Sequence, residues 1–156
     1  MLSSMETDES VGSRRAPSPI AQSLPIPRLD GLSVLVVDDE PDARRLMKRF
    51  LEVRGATVTT AGSMEEALDA LSDEHPDVLL SDIGMPEHDG YELIRRIRGL
   101  PANQGGATPA AAVTAFARAD DRSRALLSGF QMHLAKPVDP LELLAAVARL
   151  AAGRHS

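Results

Sequence analysis

The sequence has no cysteine among its 156 residues, which excludes disulfide bonds and metal sites built from thiolates. Aromatic residues make up 3% of the chain and the net charge is −6, so neither a base-stacking surface nor a basic surface for nucleic acid is expected. No apolar run reaches the roughly 18 residues of a membrane-spanning helix, and the first residues lack the pattern of a secretion signal. These absences favour a cytoplasmic protein with no membrane and no nucleic-acid partner.

The first 30 residues differ in composition from the rest of the chain. Serine-rich and charged stretches precede Pro17, Pro19, Pro25 and Pro27. Such a composition cannot bury enough apolar surface to offset the loss of chain entropy. The sequence therefore predicts a flexible tail or linker over residues 1–30 and one domain over residues 31–152, which is long enough to bury a sizeable core.

Short apolar runs alternate with helix signals through the rest of the chain. The runs lie at residues 34–37, 56–60, 78–81, 110–113 and 132–134. Short runs of this kind are typical of strands that are buried on both faces of a parallel sheet. We therefore predict an α/β domain in which helices cover both faces of a parallel sheet built from five strand–helix units.

Local signals place the helices between these runs. Pro41 suits the first turn of a helix, Ser63 and Glu66 have the spacing of a capping box, and Asp139 is positioned to cap the last helix. Residues 99–107 are predicted to form a flexible connection. Helical spacing predicts that these side chains of the first and last helices face the core: Leu46, Met47, Phe50, Leu51, Leu141, Leu144, Val147 and Ala148.

Polar side chains follow four of the predicted strands. They are Asp38 and Asp39, Asp82, Thr114, and Lys136. The carboxyl ends of parallel strands meet at one edge of the sheet, where ligands bind in folds of this class. Clustered carboxylates repel one another and favour a hard divalent cation. Asp39 and Asp82 can supply two ligands to Mg²⁺ and a backbone carbonyl near Gly84 a third, while Asp38 acts from a neighbouring position.

These residue types permit phosphoryl chemistry. The carboxylate of Asp82 can attack phosphorus and form an aspartyl phosphate. The Lys136 ammonium and the Thr114 hydroxyl can meet the phosphoryl oxygens. Taken singly, each residue has an ordinary structural reading, such as a helix cap for Asp39 or a solvated loop lysine for Lys136. Their shared position at one edge of the sheet favours the functional reading.

The chain from about Leu32 to Leu150 resembles the receiver domain of two-component response regulators. The matching segments are Val37-Asp38-Asp39-Glu40-Pro41, Ser81-Asp82-Ile83-Gly84-Met85-Pro86 with Asp89-Gly90, Val113-Thr114-Ala115, and Lys136-Pro137. The resemblance implies a flavodoxin-like (βα)5 fold with strand order 2-1-3-4-5. It also implies a cis peptide bond between Lys136 and Pro137.

The resemblance also implies roles for individual residues. Asp82 would be the phospho-acceptor, and Asp38, Asp39 and the backbone of Gly84 would hold Mg²⁺ beside it. Thr114 would be the switch hydroxyl and Lys136 the phosphate-contacting lysine. His133 occupies the position where receivers commonly carry Tyr or Phe, so it would be a switch residue or simply a partly exposed histidine of an edge strand.

The implied function is signal transduction in a two-component or phosphorelay pathway. A histidine kinase or a phosphotransfer protein would donate the phosphate, and phosphorylation would switch a surface that docks an unknown downstream protein. The chain would catalyse only its own phosphorylation and slow dephosphorylation, and so would not be an enzyme. Neither Gly84 nor Phe116 can hydrogen-bond a hydrolytic water, which predicts a moderately long-lived acyl phosphate.

Three other functions remain open at this point. A Mg²⁺-dependent phosphohydrolase could use the same aspartyl phosphate, although neither acidic segment has the Asp-x-Asp pattern of haloacid-dehalogenase-like enzymes. A flavodoxin-like cofactor binder is disfavoured because Asp38, Asp39 and Glu40 would repel a flavin phosphate. A receiver that only docks, without switching, is the third. The sequence also leaves open whether the chain acts alone or belongs to a hybrid kinase.

Overall fold

The computed structural model describes residues 26–85, 89–115 and 119–153. Five strands alternate with helices along the chain. The strands are β1 (Ser33–Val37), β2 (Thr57–Ala61), β3 (Val78–Asp82), β4 (Ala110–Thr114) and β5 (Met132–Ala135). The α-helices are α1 (Pro41–Val53), α2 (Met64–Glu74), α3 (Gly90–Arg98), α4 (Ala119–Ser128) and α5 (Pro140–Gly153), with one 3₁₀ turn at Ala102–Gln104.

All neighbouring strands pair in parallel, in the order β2-β1-β3-β4-β5. This is the order 2-1-3-4-5 that the resemblance implied, and the prediction of the fold is confirmed. Ser81 of β3 lies opposite Val37 of β1, and Asp82 lies opposite Val113 of β4. The register therefore brings the carboxyl ends of the three central strands to one level.

Each face of the sheet has its own apolar core. The side chains of α1 and α5 pack with Val34, Val36 and Leu80 on one face. Those of α2, α3 and α4 pack with Leu35 and Leu79 on the other. The central strands are buried along their whole length, which explains why their sequences read as unbroken apolar runs rather than alternating ones.

Two side chains that were predicted to face the core do not. Leu46 of α1 and Leu141 of α5 are each 50% exposed, whereas Met47 and Leu51 are buried as predicted. In α5, Leu143 takes the inward position that the prediction gave to Leu141. Leu141 lies in the first turn, where the Asp139 side chain accepts a hydrogen bond from the Leu141 N–H at 2.9 Å and confirms the predicted cap.

The other local predictions are confirmed in part. Ser63 accepts a hydrogen bond from the Glu66 N–H, but the Glu66 carboxylate binds the N–H of Gly62 and not that of Ser63. Residues 99–107 were predicted to be flexible and instead include the 3₁₀ turn. The Arg98 guanidinium also fixes the end of this segment, because it donates hydrogen bonds to the carbonyls of Gly106 at 3.0 Å and Thr108 at 2.7 Å.

The domain begins earlier than residue 31. Leu29 is fully buried in the core, and its N–H donates to the Arg54 carbonyl at 2.7 Å. The Arg54 side chain donates to the carbonyls of Ile26 and Pro27. Residues 26–30, which were predicted to belong to the tail, therefore pack with the domain. The other predicted tail residues, 1–25, lie outside the described part of the chain. Across the described ranges, no helix is long and apolar enough to cross a membrane.

Candidate active site

Strand ends place the predicted acidic residues, the threonine and the lysine at one edge of the sheet. Asp38 and Asp39 follow β1 directly, Asp82 and Thr114 are the last residues of β3 and β4, and Lys136 follows β5. The Lys136 N–H donates to the Thr114 carbonyl at 2.8 Å, which fixes the lysine backbone against β4. Side chains that lie up to 98 residues apart in sequence are thereby brought together.

Three carboxylates form the centre of the site, and we call Asp38, Asp39 and Asp82 the acidic niche. One carboxylate oxygen from each lies within 4.8 Å of those of the other two. Asp38 is fully buried, Asp82 nearly so, and Asp39 half-buried. A set of buried carboxylate oxygens is the donor type that Mg²⁺ prefers, so the residues fit the predicted ion. Asp38 lies within this 4.8 Å limit together with Asp39, although the sequence favoured Asp39 as the direct ligand.

Backbone contacts hold the first acidic pair in place. The Asp38 N–H donates to the Ala61 carbonyl at 3.1 Å, and the Asp38 Oδ1 accepts from the Glu40 N–H at 2.9 Å. One turn into α1, the Arg44 guanidinium donates to the Asp38 carbonyl at 2.6 Å. The N-cap residue of α1 is Glu40, which makes no side-chain cap. The alternative reading of Asp39 as a helix cap is therefore wrong.

Lys136 is the cation of the site. Its Nζ lies 2.8 Å from Asp38 Oδ2, 3.6 Å from Asp82 Oδ2 and 3.9 Å from Glu40 Oε1. The sequence placed Lys136 beside a phosphate and did not anticipate its close pairing with Asp38. That pairing partly neutralises a carboxylate that is fully buried and would otherwise be costly.

The pKa values of Asp82 and Lys136 are both raised in the folded protein. Burial raises the pKa of Asp82 and the charge of Asp38 adds to this, while Lys136 and the Gly84 N–H act against it. Burial alone would lower the pKa of Lys136, but the hydrogen bond to Asp38 and the charges of Asp82, Asp38 and Glu40 raise it overall. Lys136 therefore carries its positive charge beside Asp82 at neutral pH.

Two glycines shape the loop after β3. The Gly84 N–H donates to Asp82 Oδ1 at 3.3 Å, and apart from its chain neighbours no described residue has an atom within 4 Å of where a Gly84 side chain would begin. At Gly90 the opposite holds, because a Cβ there would lie 2.4 Å from the Asp82 carbonyl oxygen. Asp89 caps α3 by accepting from the Glu92 N–H at 2.9 Å. The Asp-Gly pair thus starts α3 directly against the backbone of Asp82.

The predicted switch residues lie on neighbouring strands. Thr114 is buried at the end of β4, and His133 lies in β5 with partial exposure. The Lys136–Pro137 peptide bond is cis, as the resemblance implied. Phe116, which entered the prediction of a long-lived acyl phosphate, lies outside the described residues.

Sequence reasoning missed one residue that contacts the site. Arg44 was treated as part of a helix, yet it holds the Asp38 carbonyl and lies so close to Gly62 that a Cβ there would be 2.7 Å from its guanidinium. The available signal was its position one turn inside α1, beside the acidic pair. A single basic residue on an amphipathic helix is too common for that signal to stand out.

Comparison with known proteins gives a consistent family. A family model for the response regulator receiver domain matches residues 34–148. An uncharacterized 14.6 kDa protein of Leptolyngbya boryana is 53% identical over 116 residues, which cover 74% of this chain and 87% of that protein. The sensor histidine kinase RcsC of Escherichia coli is 44% identical over 109 residues, which cover 70% of this chain and 11% of the kinase.

Solved structures agree with the sequence matches. The receiver domain of the Francisella response regulator 1452 has a TM-score of 0.72 and 29% identity, with 80% of this chain and 99% of that one covered. A signal receiver domain of a signal transduction histidine kinase from Syntrophus aciditrophicus has a TM-score of 0.71 and 32% identity, with 79% and 92% covered. Both share the fold described above.

Proposed function

Because the chain belongs to the response regulator receiver domain family of two-component systems, we propose that Asp82 accepts a phosphoryl group from a phosphohistidine. Receiver domains take phosphate from histidine kinases, and the donor here would be a kinase or a phosphotransfer protein. The observation that carries the proposal is the position of Lys136, whose Nζ lies 3.6 Å from Asp82 Oδ2 inside a site of three carboxylates. Such a cation is available to an incoming phosphoryl oxygen.

The transfer is a displacement at phosphorus. A carboxylate oxygen of Asp82 forms the new P–O bond as the P–N bond to the donor imidazole breaks. The electron pair of that bond returns to the imidazole nitrogen, which takes a proton from solvent. Lys136 then exchanges part of its pairing with Asp38 for the new phosphoryl oxygens, since it already lies between the two aspartates.

The acidic niche fits the Mg²⁺ that receiver domains generally bind. Asp38, Asp39 and Asp82 would hold it, with the backbone of Gly84 as a further ligand. When bound, the ion offsets the charge of the carboxylates and of the phosphoryl oxygens. The protein's own contribution is the fixed backbone of Asp38 and the buried position of Asp82, which hold these oxygens in place.

Phosphorylation would act on the rest of the domain through β4 and β5. Thr114 offers its hydroxyl to the phosphoryl group, and its carbonyl already binds the Lys136 backbone. A movement of Thr114 would therefore reach β5, His133 and the surface that docks a downstream protein. Phosphorylation shifts this equilibrium only as far as the phosphoryl group binds one state better than the other.

The chain would act as a signalling switch in a two-component or phosphorelay pathway and not as an enzyme with a separate substrate. It would catalyse its own phosphorylation and a slow dephosphorylation. The glycine at position 84 supports the slow step, because it has no side chain that could orient a hydrolytic water. A dephosphorylation half-life of seconds would contradict this part of the proposal.

The central test is phosphorylation of the purified chain with acetyl phosphate and Mg²⁺, followed by intact mass. We expect the gain of one phosphoryl group, lost in Asp82→Asn and retained in Asp73→Asn, a matched change of an exposed aspartate on α2. Uptake that persists in Asp82→Asn would reject the acceptor assignment. Absence of uptake from acetyl phosphate and from phosphorylated kinases would favour the receiver that only docks. Turnover of small phosphate esters would favour the phosphohydrolase.

A further inference from the structure

His133 lies on the face of β5 that is covered by α4. Its neighbours in the strand, Met132 and Leu134, pack into the opposite core with α5. His133 pairs in register with Ala112, which belongs to the core on the α4 side. β5 is an edge strand, and two residues after His133 it comes level with Thr114. The imidazole therefore lies between the active-site edge of the sheet and a surface helix.

The His133 Nε2 atom is buried, and no residue that the structure describes gives it a hydrogen-bond partner. A buried polar atom without a partner costs free energy even when the group is neutral. The cost is much greater for a charged group, and both ring nitrogens of a protonated imidazole must donate. The packing around His133 is therefore compatible with the neutral imidazole and unfavourable for the protonated imidazole.

Burial and one of the two neighbouring charges disfavour the protonated ring. Burial lowers the pKa of His133, Arg122 of α4 lowers it further, and Asp121 of α4 acts against them. The strand beside it contributes the uncharged Ala112. α5 packs on the opposite face, and the charged groups of the described chain that act on the imidazole are these two α4 side chains.

α4 is held by few contacts. Among its described side chains, Ala125 is the one that is buried, and Leu127 is 89% exposed. Tyr91 of α3 supplies the other anchors: its hydroxyl donates to the Asp121 carbonyl at 3.4 Å, and the Arg124 guanidinium lies 4.0 Å from its ring centre. A helix with so little buried apolar surface can move at small cost.

We propose that His133 makes the packing of α4 against β5 dependent on pH, with the neutral imidazole closing the interface and the protonated imidazole loosening it. Protonation would require Nε2 to reach water, and among the described elements α4 is the one that packs on this face of β5. The proposal depends on the packing of the domain and not on phosphorylation of Asp82. It gives the docking surface a second input, because acidification would move the same helix without a phosphodonor.

The first test is an NMR titration of the His133 ring in the intact chain. We expect the pKa of His133 to lie below the ordinary value of about 6.5, and to rise in Arg122→Gln, which removes an exposed positive charge that opposes protonation. The same titration in Asp82→Asn should give an unchanged result, which separates this proposal from the proposed function. A His133 pKa at or above the ordinary value, or one unmoved by Arg122→Gln, would overturn the proposal.

The second test is hydrogen exchange of the α4 amides at about pH 8 and about pH 5.5, corrected for the intrinsic pH dependence of exchange. One pH unit below the ordinary histidine pKa, the loosened state can gain up to about tenfold in population. We expect α4 to lose protection at the lower pH in the native chain and in His75→Gln, and to keep it in His133→Phe, which retains a ring that cannot titrate. Equal loss in His133→Phe would show that another group is responsible.

The two tests also fix the direction of the effect on stability. Unfolding restores the ordinary pKa of about 6.5, so below that pH the unfolded chain binds more protons at His133 than the folded chain does. The contribution of His133 to stability is therefore lost as the pH falls from about 6.5 toward the lower pKa of the folded chain. A native chain whose unfolding midpoint changes with pH in the same way as that of His133→Phe would contradict this.

Discussion

The two helices beside β5 differ sharply in how they are attached. α5 has six buried residues, which are Leu143, Leu144, Ala146, Val147, Leu150 and Ala151. α4 has one among its described side chains, Ala125, and it exposes Leu126 and Leu127 to solvent. The same edge strand thus has one firmly packed helix and one lightly packed helix, on opposite faces.

The sequences of the two helices explain why α5 buries more side chains than α4. α5 reads as an almost continuous apolar segment, whereas α4 begins with Ala-Asp-Asp-Arg-Ser-Arg and turns apolar only toward its end. Burial of apolar side chains contributes most of the free energy that holds a surface helix in place. The proposed switch needs an element that moves at little cost in free energy, and the light packing of α4 fits this need better than the firm packing of α5.

The largest expected effect comes from Leu143→Ala in α5. Leu143 is fully buried, so its truncation removes apolar contacts and leaves a cavity. We expect a loss of about 2–5 kcal/mol in the free energy of unfolding, measured by urea denaturation. Leu141→Ala is the matched control on the same helix, since that side chain is half exposed and should cost far less.

A smaller effect is expected from Tyr91→Phe in α3. The phenyl ring keeps the buried contacts and the contact with Arg124, so the change removes mainly the hydroxyl that donates to the Asp121 carbonyl. A hydrogen bond of this length should contribute no more than about 1 kcal/mol to global stability. Hydrogen exchange should show the loss concentrated in α4, and a uniform loss over the whole domain would contradict the idea that α4 is a separately anchored element.

The smallest effect is expected from Leu127→Ala in α4. Because 89% of its surface is exposed, this leucine buries little apolar area and contributes little to the free energy of unfolding. The free energy of unfolding should change by less than about 0.5 kcal/mol. A loss as large as that of Leu143→Ala would mean that α4 is covered in solution, and the contrast between the two helices would no longer hold.

The fold and the site were predictable from the sequence because both depend on strand ends. Runs such as Val34–Val37 and Val78–Ser81 are buried on both faces, so they read clearly as central strands, and the polar residues after them had to meet. Leu46 and Leu141 were assigned wrongly because helical spacing gives a broad stripe and does not say which residue at its margin is covered. That depends on the neighbouring element.

The contacts inside the site were less predictable. The sequence put Lys136 near Asp82 but could not show that it binds Asp38 more closely, since this depends on the exact depth of each strand end. Leu29 was missed for a different reason. A single leucine among prolines and charged residues carries no periodic signal, and its burial depends on apolar contacts with distant elements of the core.

The contact between Arg54 and the segment before β1 decides where any upstream part of the chain joins the domain. α1 begins beside the acidic niche and ends next to Arg54, and its 13 residues span about 20 Å. The point of attachment is thus one helix length away from the carboxylates. The proposed phosphodonor would therefore approach Asp82 at the end of the domain opposite to that junction.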